Sequence, residues 1–441
     1  MKTEEIILKN KGRIFKDMAN ERWYPLKGND PESMKIVGIY PEYVEDGSPF
    51  LVKLRSEDAG MAINLLLNLT DSRNEVEDSI RSGKVVAMIK KLLEGRSDQA
   101  MRFTGNSDEI IRNLNPYHAF NGNQSNSSFI MNGEVIGKFF RTFSDIDNPD
   151  YTIPLSLWKK TGFRNTPEPL GMITYQKKEC LMAFSRYVPN HGDYWSYLNN
   201  IPEDQNFAEI LLGSAENIAR ITARMHNALS KIGDESFEKE PFNSTDIQLL
   251  KDSYASYEES VAEICRNSSR SGMFGEIYRG LPVIREAGSV FGKLKEEGFF
   301  KQRIHGDFHL GQILNAEQGP QIIDFEGEPM RSIQEKSAKQ CTMKDIAGLI
   351  RSYDYLCRGR MKDPDRLSRM LENTILSTYT DEMAHLDPGF SERIPAFSSV
   401  LRVFILEKAL YETIYEHRNR PGWIHIPLGF ILSFIKDQKS K

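Results

Sequence analysis

The chain has 441 residues, which is long enough for two or three domains with hydrophobic cores of their own. Its composition, with 39% hydrophobic and 27% charged residues, is that of a globular protein and excludes a disordered chain. The net charge of -5 argues against a nucleic-acid-binding surface. The four cysteines show no CxxC spacing, so we expect core thiols and neither a zinc site nor a disulfide framework.

The two ends of the chain bear on its location. Residues 1–13 are charged and lack the apolar core of a signal peptide. The longest apolar stretch, near residues 426–435, is short and is interrupted by proline and glycine, so it does not span a bilayer. We therefore expect a cytoplasmic protein with no membrane and no nucleic-acid partner.

Hydrophobic patterning divides the chain into three segments. Residues 1–95 mix short apolar runs with turn clusters and then show helical periodicity, which predicts a small N-terminal cap subdomain. Strand signals dominate residues 96–189 and predict a β-rich subdomain, which contains the nucleotide-binding candidates described below. Long helical periodicities fill residues 190–441 and predict a mostly helical C-terminal lobe. The fold class predicted from these segments is α+β.

A lysine stands inside a strand pattern in the second segment. Residues 133–141 alternate as a strand, and Lys138 lies among apolar neighbours, where an unpaired charge would be costly. We therefore expect an anionic partner, for which Asp145, Asp147 and Asp150 are candidates. In a kinase such a lysine holds the phosphates of the nucleotide.

The segment before this strand is small and polar. It contains no GxGxxG pattern, so a phosphate-binding loop here would use backbone amides and side-chain hydroxyls. The alternative is an ordinary surface loop, which is the usual structure of a Ser/Asn run. The candidate nucleotide-binding residues are Ser125, Asn126, Ser127 and Ser128.

The segment RIHGDFHLGQILNAEQGPQIIDFEGEP, residues 303–329, carries the strongest chemical signal. Asp307 lies in a turn-like HGD sequence, where it can accept the proton of an acceptor hydroxyl. Gln312 and Asp324 offer the oxygen ligands that Mg²⁺ prefers, and Glu326 lies on the same side of an extended chain as Asp324. This spacing predicts phosphoryl transfer from ATP with Mg²⁺. The alternative for Glu326 and Glu328 is a solvated acidic loop.

Two helical segments near the C-terminus are candidates for the acceptor pocket. Lys408, Tyr411 and Tyr415 recur at i, i+3 and i+7, beside a face of core residues. Aromatic rings on such a face can stack on a pyranose, or they can be half-buried packing residues. Arg351 and Asp354, three residues apart, form either part of the active site or an ordinary helix ion pair.

These motifs together resemble the maltokinase family, which belongs to the aminoglycoside-phosphotransferase-like kinases. The resemblance extends over nearly the whole chain and is most specific in the C-terminal half. The segments that carry it are HGDFHLGQIL, IIDFEGEP, NQSNSS with the strand lysine, YVPNHGDYW, DIAGLIRSYDY and LEKALYETIYEHRNRPGW. One departure is that Thr152, followed by Pro154, stands where the family has the acidic partner of the lysine.

The resemblance implies a bilobal protein-kinase-like fold with an N-terminal cap. It implies transfer of the terminal phosphoryl group of ATP to the anomeric hydroxyl of maltose, giving maltose 1-phosphate for glycogen and trehalose metabolism. It also implies adenine contacts at a hinge formed by Arg186, Tyr187 and Val188, and maltose contacts at Lys408, Tyr411 and Tyr415. A monomer that associates with a trehalose synthase is the expected assembly.

Two alternatives stay open on the sequence. The same catalytic residues could act on another small acceptor such as glucosamine, because kinases of this fold phosphorylate several sugars and amines. The chain could also be a nucleotide-binding regulatory pseudokinase, since the sequence does not identify the partner of Lys138.

Overall fold

The structure, a computed structural model, describes residues 2–21, 23–24, 34–43, 48–56, 61–70, 75–95, 100–120, 126–143, 147–268, 271–328, 336 and 338–439. The chain forms two compact units. The first comprises Met1–Leu155 and Pro167–Val188, and the second comprises Ser156–Thr166 and Pro189–Lys441. Sheets dominate the first unit and helices the second, which confirms the predicted α+β class with a β-sheet lobe and a helical lobe.

The first unit contains the predicted cap segment and most of the predicted β-rich segment, of which residues 156–166 belong to the second unit. Its strands are β1 (Met34–Tyr40), β2 (Phe50–Ser56), β3 (Ala62–Leu69), β4 (Val76–Asp78), β5 (Met101–Gly105), β6 (Tyr117–Ala119), β7 (Ser127–Met131), β8 (Val135–Phe139), β9 (Pro169–Tyr175) and β10 (Glu179–Arg186). Its helices are α1 (Thr3–Asn20), α2 (Ser79–Ser82), α3 (Val85–Leu93) and α4 (Ser107–Arg112), followed by α5 (Pro149–Lys160), which continues into the second unit.

The strands of the first unit form two antiparallel sheets. The cap sheet has the order β1-β2-β3-β4, and the larger sheet has the order β5-β9-β10-β8-β7-β6. Helix α1 covers the cap sheet with an apolar stripe that includes Ile6, Ile14 and Phe15. This packing follows from the 3.6-residue period of its apolar positions.

The chain that follows β8 ties the two sheets together. The Asn64 amide of β3 donates to the carbonyl of Arg141 at 2.7 Å, and the Phe143 amide donates to the carbonyl of Ala62 at 3.1 Å. Strand β8, which carries Lys138, therefore continues directly into contacts with the cap sheet. The cap segment and most of the β-rich segment therefore belong to one compact unit.

The second unit is built mainly of long helices. They are α6 (Tyr194–Asn199), α7 (Phe207–Leu229), α8 (Ser244–Asn267), α9 (Gly272–Ala287), α10 (Lys293–Glu296), α11 (Met343–Arg360), α12 (Asp365–Leu386), α13 (Ile394–Asn419) and α14 (His425–Lys439). Its short strands are β11 (Asn190–Asp193), β12 (Glu240–Pro241), β13 (Phe300–Lys301), β14 (Ile313–Ala316) and β15 (Gln321–Ile322). Among the described helices, none is long and apolar enough to cross a membrane.

Helix packing in the second unit creates a platform for the HGD segment. Helix α7 packs against α12, and α11 packs against α13. The segment itself lies between β13 and the small sheet β11-β14-β15. Helix α11 approaches it most closely at Gly348, where a Cβ atom would lie only 2.4 Å from the carbonyl oxygen of Phe308. All four cysteines are buried, as expected for core thiols.

The close approach at Gly348 gives a stability prediction. Gly348→Ala should destabilise the protein by about 1 to 3 kcal/mol, because the added methyl group forces α11 and the segment apart. Gly359→Ala, in the same helix, meets no atom within 4 Å and is the matched control. It should be neutral or stabilising by up to about 1 kcal/mol. Urea unfolding checks both variants, and equal stabilities would contradict this packing.

Candidate active site

The HGD segment is held by one buried carboxylate. Asp345, in the first turn of α11, accepts hydrogen bonds from the amides of His305 at 2.8 Å and Gly306 at 2.9 Å. The Nε2 atom of His226 lies 3.0 Å from the same carboxylate. Gly306 has a φ of +86°, a left-handed conformation that glycine adopts without strain. The backbone of the turn is therefore bonded to a fixed group on the helical platform.

Asp345 is ionised within this network. Burial acts to raise its pKa, but the hydrogen bond and electrostatic effect of His226, the electrostatic effect of His305 and the Gly306 amide lower the pKa below its usual value. His226 is also bonded through Nδ1 to the Tyr379 hydroxyl at 2.9 Å. It is a buried histidine with both ring nitrogens bonded, and it joins Asp345 to Tyr379.

His305 connects the HGD segment to the DFE segment. Its Nε2 atom lies 2.9 Å from the carbonyl oxygen of Ile323, the residue before Asp324. Its Nδ1 atom accepts from the Asp307 amide at 3.3 Å. The His305 ring is therefore hydrogen-bonded to the backbone of both the HGD and the DFE segments.

The predicted metal-binding residues come together in the second unit. The side-chain amide of Gln312 donates to Oδ2 of Asp324 at 3.1 Å. The backbone carbonyl of Gln312 accepts from the Ile323 amide at 3.0 Å. Asp324 has a φ of +65°, a conformation that aspartate tolerates better than most residues. One carboxylate oxygen of Asp324 lies within 4.8 Å of one from Glu326. This set of hard oxygen donors suits Mg²⁺.

Asp307 itself is only partly exposed. Its Oδ2 atom lies 3.9 Å from Nε2 of His309, and its charge helps to raise the pKa of Lys408. The charge of Asp307 therefore acts on Lys408 although the two residues are far apart in the sequence. An aspartate in this position can accept a proton from a hydroxyl group bound beside it.

Lys408 is paired with Glu328, for which the sequence left a solvated loop open as an alternative. Its Nζ atom lies 2.7 Å from Oε1 of Glu328, which is 11% exposed, so Glu328 is not a solvated loop residue. Burial disfavours the charge of Lys408, but Glu328 and Asp307 raise its pKa. Nζ also lies 5.0 Å from the ring centroid of Tyr411. Glu328 was missed because its partner is 80 residues away.

The two tyrosines of the predicted acceptor face differ in their surroundings. Tyr411 is half-buried and packs edge-to-face against Tyr257, with ring centroids 5.9 Å apart. Tyr415 is exposed, and the guanidinium of Arg420 lies 5.3 Å from its ring centroid. Lys408, Tyr411, Tyr257 and Glu328 thus form one aromatic and charged surface, which we call the α13 patch.

Arg351 and Asp354 are enclosed by protein. They form an ion pair with each other, and Arg351 also contacts Glu412 at 2.8 Å while Arg358 contacts Asp354 at 2.9 Å. Both side chains are at most 2% exposed, which favours the helix ion pair between the two alternatives. Direct acceptor binding by these residues stays a prediction. Glu412 follows Tyr411 in α13, so Arg351 contacts the residue next to the α13 patch.

In the first unit, the partner of Lys138 is Asp150. The two side chains are 2.8 Å apart, and Asp150 lies in the first turn of α5, where the helix dipole favours a negative charge. The side chain of Asn148 accepts from the Asp150 amide at 2.8 Å and fixes the turn. Of the other candidates, Asp145 lies outside the described residues. The acidic partner therefore precedes Thr152 by two positions.

The described part of the Ser/Asn segment is bonded to an arginine. Asn126 accepts from the Arg141 amide at 3.1 Å, and the Ser127 hydroxyl accepts from Nε of Arg141 at 2.8 Å. Ser128 lies opposite Lys138 in the β7–β8 register. Ser125 lies outside the described residues. Sequence reasoning did not single out Arg141, whose only signal was a charge at the end of an apolar strand.

The predicted hinge has its own partners. Arg186 forms ion pairs with Glu168 at 2.8 Å and Glu109 at 3.1 Å. The Tyr187 amide donates to the carbonyl of Glu134 at 2.7 Å, so this amide is not available to adenine. Val188 is buried and ends the first unit. Adenine binding at these three residues stays a prediction.

The Asp345 network predicts a pH-dependent loss of stability. Asp345→Asn should destabilise the protein by about 3 to 5 kcal/mol near neutral pH, because it breaks a buried charge network. Since the folded pKa is lowered, this difference should be full above the unfolded pKa of about 4 and should shrink as the pH falls through the folded value.

Urea unfolding at several pH values measures this difference. Asp381→Asn, which alters an exposed carboxylate on α12, is the control and should have little effect at any pH. A pH-independent difference between the wild type and Asp345→Asn would contradict an ionised Asp345.

The chain is similar in sequence to known sugar kinases. No family model matches the chain. The glucosamine kinase of Mycolicibacterium smegmatis is 24% identical over 323 residues, which cover 69% of this chain and 76% of the relative. The glucosamine kinase of Streptacidiphilus jiangxiensis is 24% identical over 284 residues, which cover 60% of this chain and 61% of the relative.

Solved structures of glucosamine kinase resemble the whole chain. One, in complex with glucosamine, ADP and inorganic phosphate, has a TM-score of 0.66 and 19% identity, covering 95% of this chain and 98% of that structure. Another crystal form has a TM-score of 0.67 and 20% identity, covering 91% and 94%. The chain therefore has the kinase-like fold of these glucosamine kinases.

Proposed function

We propose that this chain is an ATP-dependent kinase that phosphorylates a hydroxyl group of a sugar. The observation that carries the proposal is the arrangement around the HGD segment: Asp307 lies on a backbone turn bonded to Asp345, and the Gln312–Asp324 pair is joined to it through His305. A fixed base beside a cluster of metal-binding oxygens is what phosphoryl transfer requires. The similarity to glucosamine kinases supports it.

The chain's own residues divide the work of the reaction. Asp307 orients the acceptor hydroxyl and takes its proton as the hydroxyl oxygen attacks the terminal phosphorus. Gln312, Asp324 and Glu326 would hold Mg²⁺, which neutralises charge on the phosphates when it is bound. Lys138, oriented by Asp150, would contact the phosphates, together with the segment that includes Ser127 and Ser128.

For the acceptor we propose maltose, phosphorylated at its anomeric hydroxyl. The support is the resemblance of the α13 sequence to maltokinases and the surface this helix presents. Tyr411 offers an aromatic ring and a hydroxyl, and the Lys408–Glu328 pair offers both a donor and an acceptor near Asp307. A cytoplasmic enzyme that feeds maltose 1-phosphate into glycogen synthesis, in association with a trehalose synthase, is the corresponding physiological proposal.

Glucosamine is the second candidate acceptor. It is favoured by a specific finding, because the curated relatives and the similar solved structures reported above are glucosamine kinases. Maltose and glucosamine both offer a pyranose ring for stacking and hydroxyl groups for hydrogen bonding. Glucosamine has an amino group, and maltose has a second sugar ring. Turnover measurements distinguish the two acceptors.

An acceptor panel tests the proposal. ADP release is measured with Mg·ATP and maltose, glucose, glucosamine, trehalose or an aminoglycoside, and we expect turnover with maltose above the others. Asp307→Asn should lower kcat by about 10² to 10⁴ while nucleotide binding is kept, because the base is lost and the volume is not. Nucleotide binding without turnover of any acceptor would favour the regulatory alternative. A variant that retained more than about a third of kcat would overturn the role of Asp307.

The α13 patch gives a prediction specific to the acceptor. Tyr411→Phe should raise the KM for the sugar about two- to twelve-fold, the equivalent of one hydrogen bond, and leave the KM for ATP unchanged. Lys408→Ala is a less clean probe because it would leave Glu328 without this partner. Tyr197→Phe, on α6, removes an equivalent hydroxyl and is the control. If Tyr411→Phe left the sugar KM unchanged and only lowered Tm, the patch would be packing.

A further inference from the structure

Arg141 is a buried charge that the proposed reaction does not use. It follows strand β8 and is 1% exposed. Its guanidinium contacts residues of the cap on one side and residues of the Ser/Asn segment on the other. All of these contacts lie within the first unit.

On the cap side, Arg141 is held by a carboxylate and an aromatic ring. Its Nη2 atom lies 2.5 Å from Oδ2 of Asp78, the last residue of the cap sheet. Its guanidinium carbon lies 4.7 Å from the ring centroid of Trp23 and 5.0 Å from that of Phe139. The position of the guanidinium is therefore set by the cap and by the end of β8.

On the other side, the same residue holds the beginning of β7. Nε of Arg141 donates to the Ser127 hydroxyl at 2.8 Å, and the Arg141 amide donates to the side chain of Asn126 at 3.1 Å. Asn126 is 5% exposed, so its side chain has few other orientations. These two residues belong to the segment assigned above to the nucleotide phosphates.

The burial of Arg141 is not explained by stability. Taking a guanidinium out of water is costly, and apolar residues often replace a buried ion pair without loss. The Nη1 atom of Arg141 is buried and has no hydrogen-bond partner among the residues that the structure describes, which adds to the cost. Arg141 is thus a costly buried charge that is bonded to two separate segments. This combination fits a residue that positions one segment relative to the other.

We propose that Arg141 is a positioning residue for ATP: held by Asp78 of the cap, it fixes Asn126 and Ser127 in the orientation that receives the nucleotide phosphates. The cap then contributes to nucleotide affinity without touching the nucleotide. This inference rests on the proposed ATP-dependent function. It predicts that a change in the cap alters ATP binding and leaves the chemical step alone.

Asp78→Asn is the sharpest probe. Asp78 also caps α2, accepting from the amides of Ile80 at 2.9 Å and Arg81 at 3.2 Å through Oδ1, and asparagine caps a helix equally well. The substitution removes only the Oδ2 acceptor of Arg141. Losing a charge-assisted bond should raise the Kd for a non-hydrolysable ATP analogue with Mg²⁺ about 10- to 150-fold. The kcat at saturating ATP should stay within about two-fold of the wild type.

A matched control lies in the same subdomain. Glu21→Gln breaks an exposed cap ion pair with Arg81, whose atoms are 2.6 Å apart, and should leave the Kd unchanged. Arg141→Lys keeps the charge but not the planar fork, and it should reproduce the loss of affinity seen in Asp78→Asn. Thermal melting is followed for every variant, and a drop in Tm with an unchanged Kd would reduce Arg141 to a structural residue and overturn the proposal.

A double-mutant cycle decides whether the effect passes through Arg141. Calorimetric Kd values are compared for the wild type, Asp78→Asn, Ser127→Ala and the double variant. If Arg141 links the two residues, the effects are not additive, and the double variant binds about as well as the weaker single variant. Additive effects would overturn the inference. A wild type that bound no nucleotide would instead overturn the proposed function, and the inference with it.

Discussion

The hydrogen bonds of the Asp345 carboxylate are the interaction on which the HGD segment depends. The carboxylate accepts hydrogen bonds from two backbone amides of the HGD turn and contacts the ring of His226, all at 3.0 Å or less. A catalytic aspartate on a loop would lose precision if the loop moved, and a buried ionised group bonded to the loop backbone prevents this. The long helices of the second unit thus have a direct role, because α7 and α11 bring His226 and Asp345 to the same point beneath the turn.

The same physical rule governs the charges of the first unit. Lys138 is paired with Asp150, and Arg141 is paired with Asp78, each at 2.8 Å or less. Buried or half-buried charges are tolerated when they are paired, and each pair fixes a backbone element as well as a charge. Asp150 ties β8 to the start of α5, and Asp78 ties the end of β8 to the cap. Strand β8 is consequently held at Lys138, and the chain just after the strand is held at Arg141.

The sequence predicted what local pattern determines. The α+β class, the strand around Lys138 and the helix that carries Lys408 and Tyr411 follow from periodicity over a few residues. The sequence pattern did not identify the ion-pair partners of these residues, because each pair forms between segments that the fold brings together. The sequence left Glu328 open as a solvated loop residue, because its partner Lys408 is 80 residues away. Asp150 was one of three acidic candidates, and its contact with Lys138 depends on where the start of α5 at Pro149 lies beside β8.

We propose above all that Gln312, Asp324 and Glu326 hold the metal ion of a nucleotide-dependent kinase. Anomalous diffraction from crystals grown with Mn²⁺ and a non-hydrolysable ATP analogue would locate this ion. We expect a manganese peak bonded to the Asp324 carboxylate and the Gln312 side chain, with the terminal phosphate directed toward Asp307. A nucleotide bound with its metal on other residues, or no nucleotide in this unit at all, would show that this assignment is wrong.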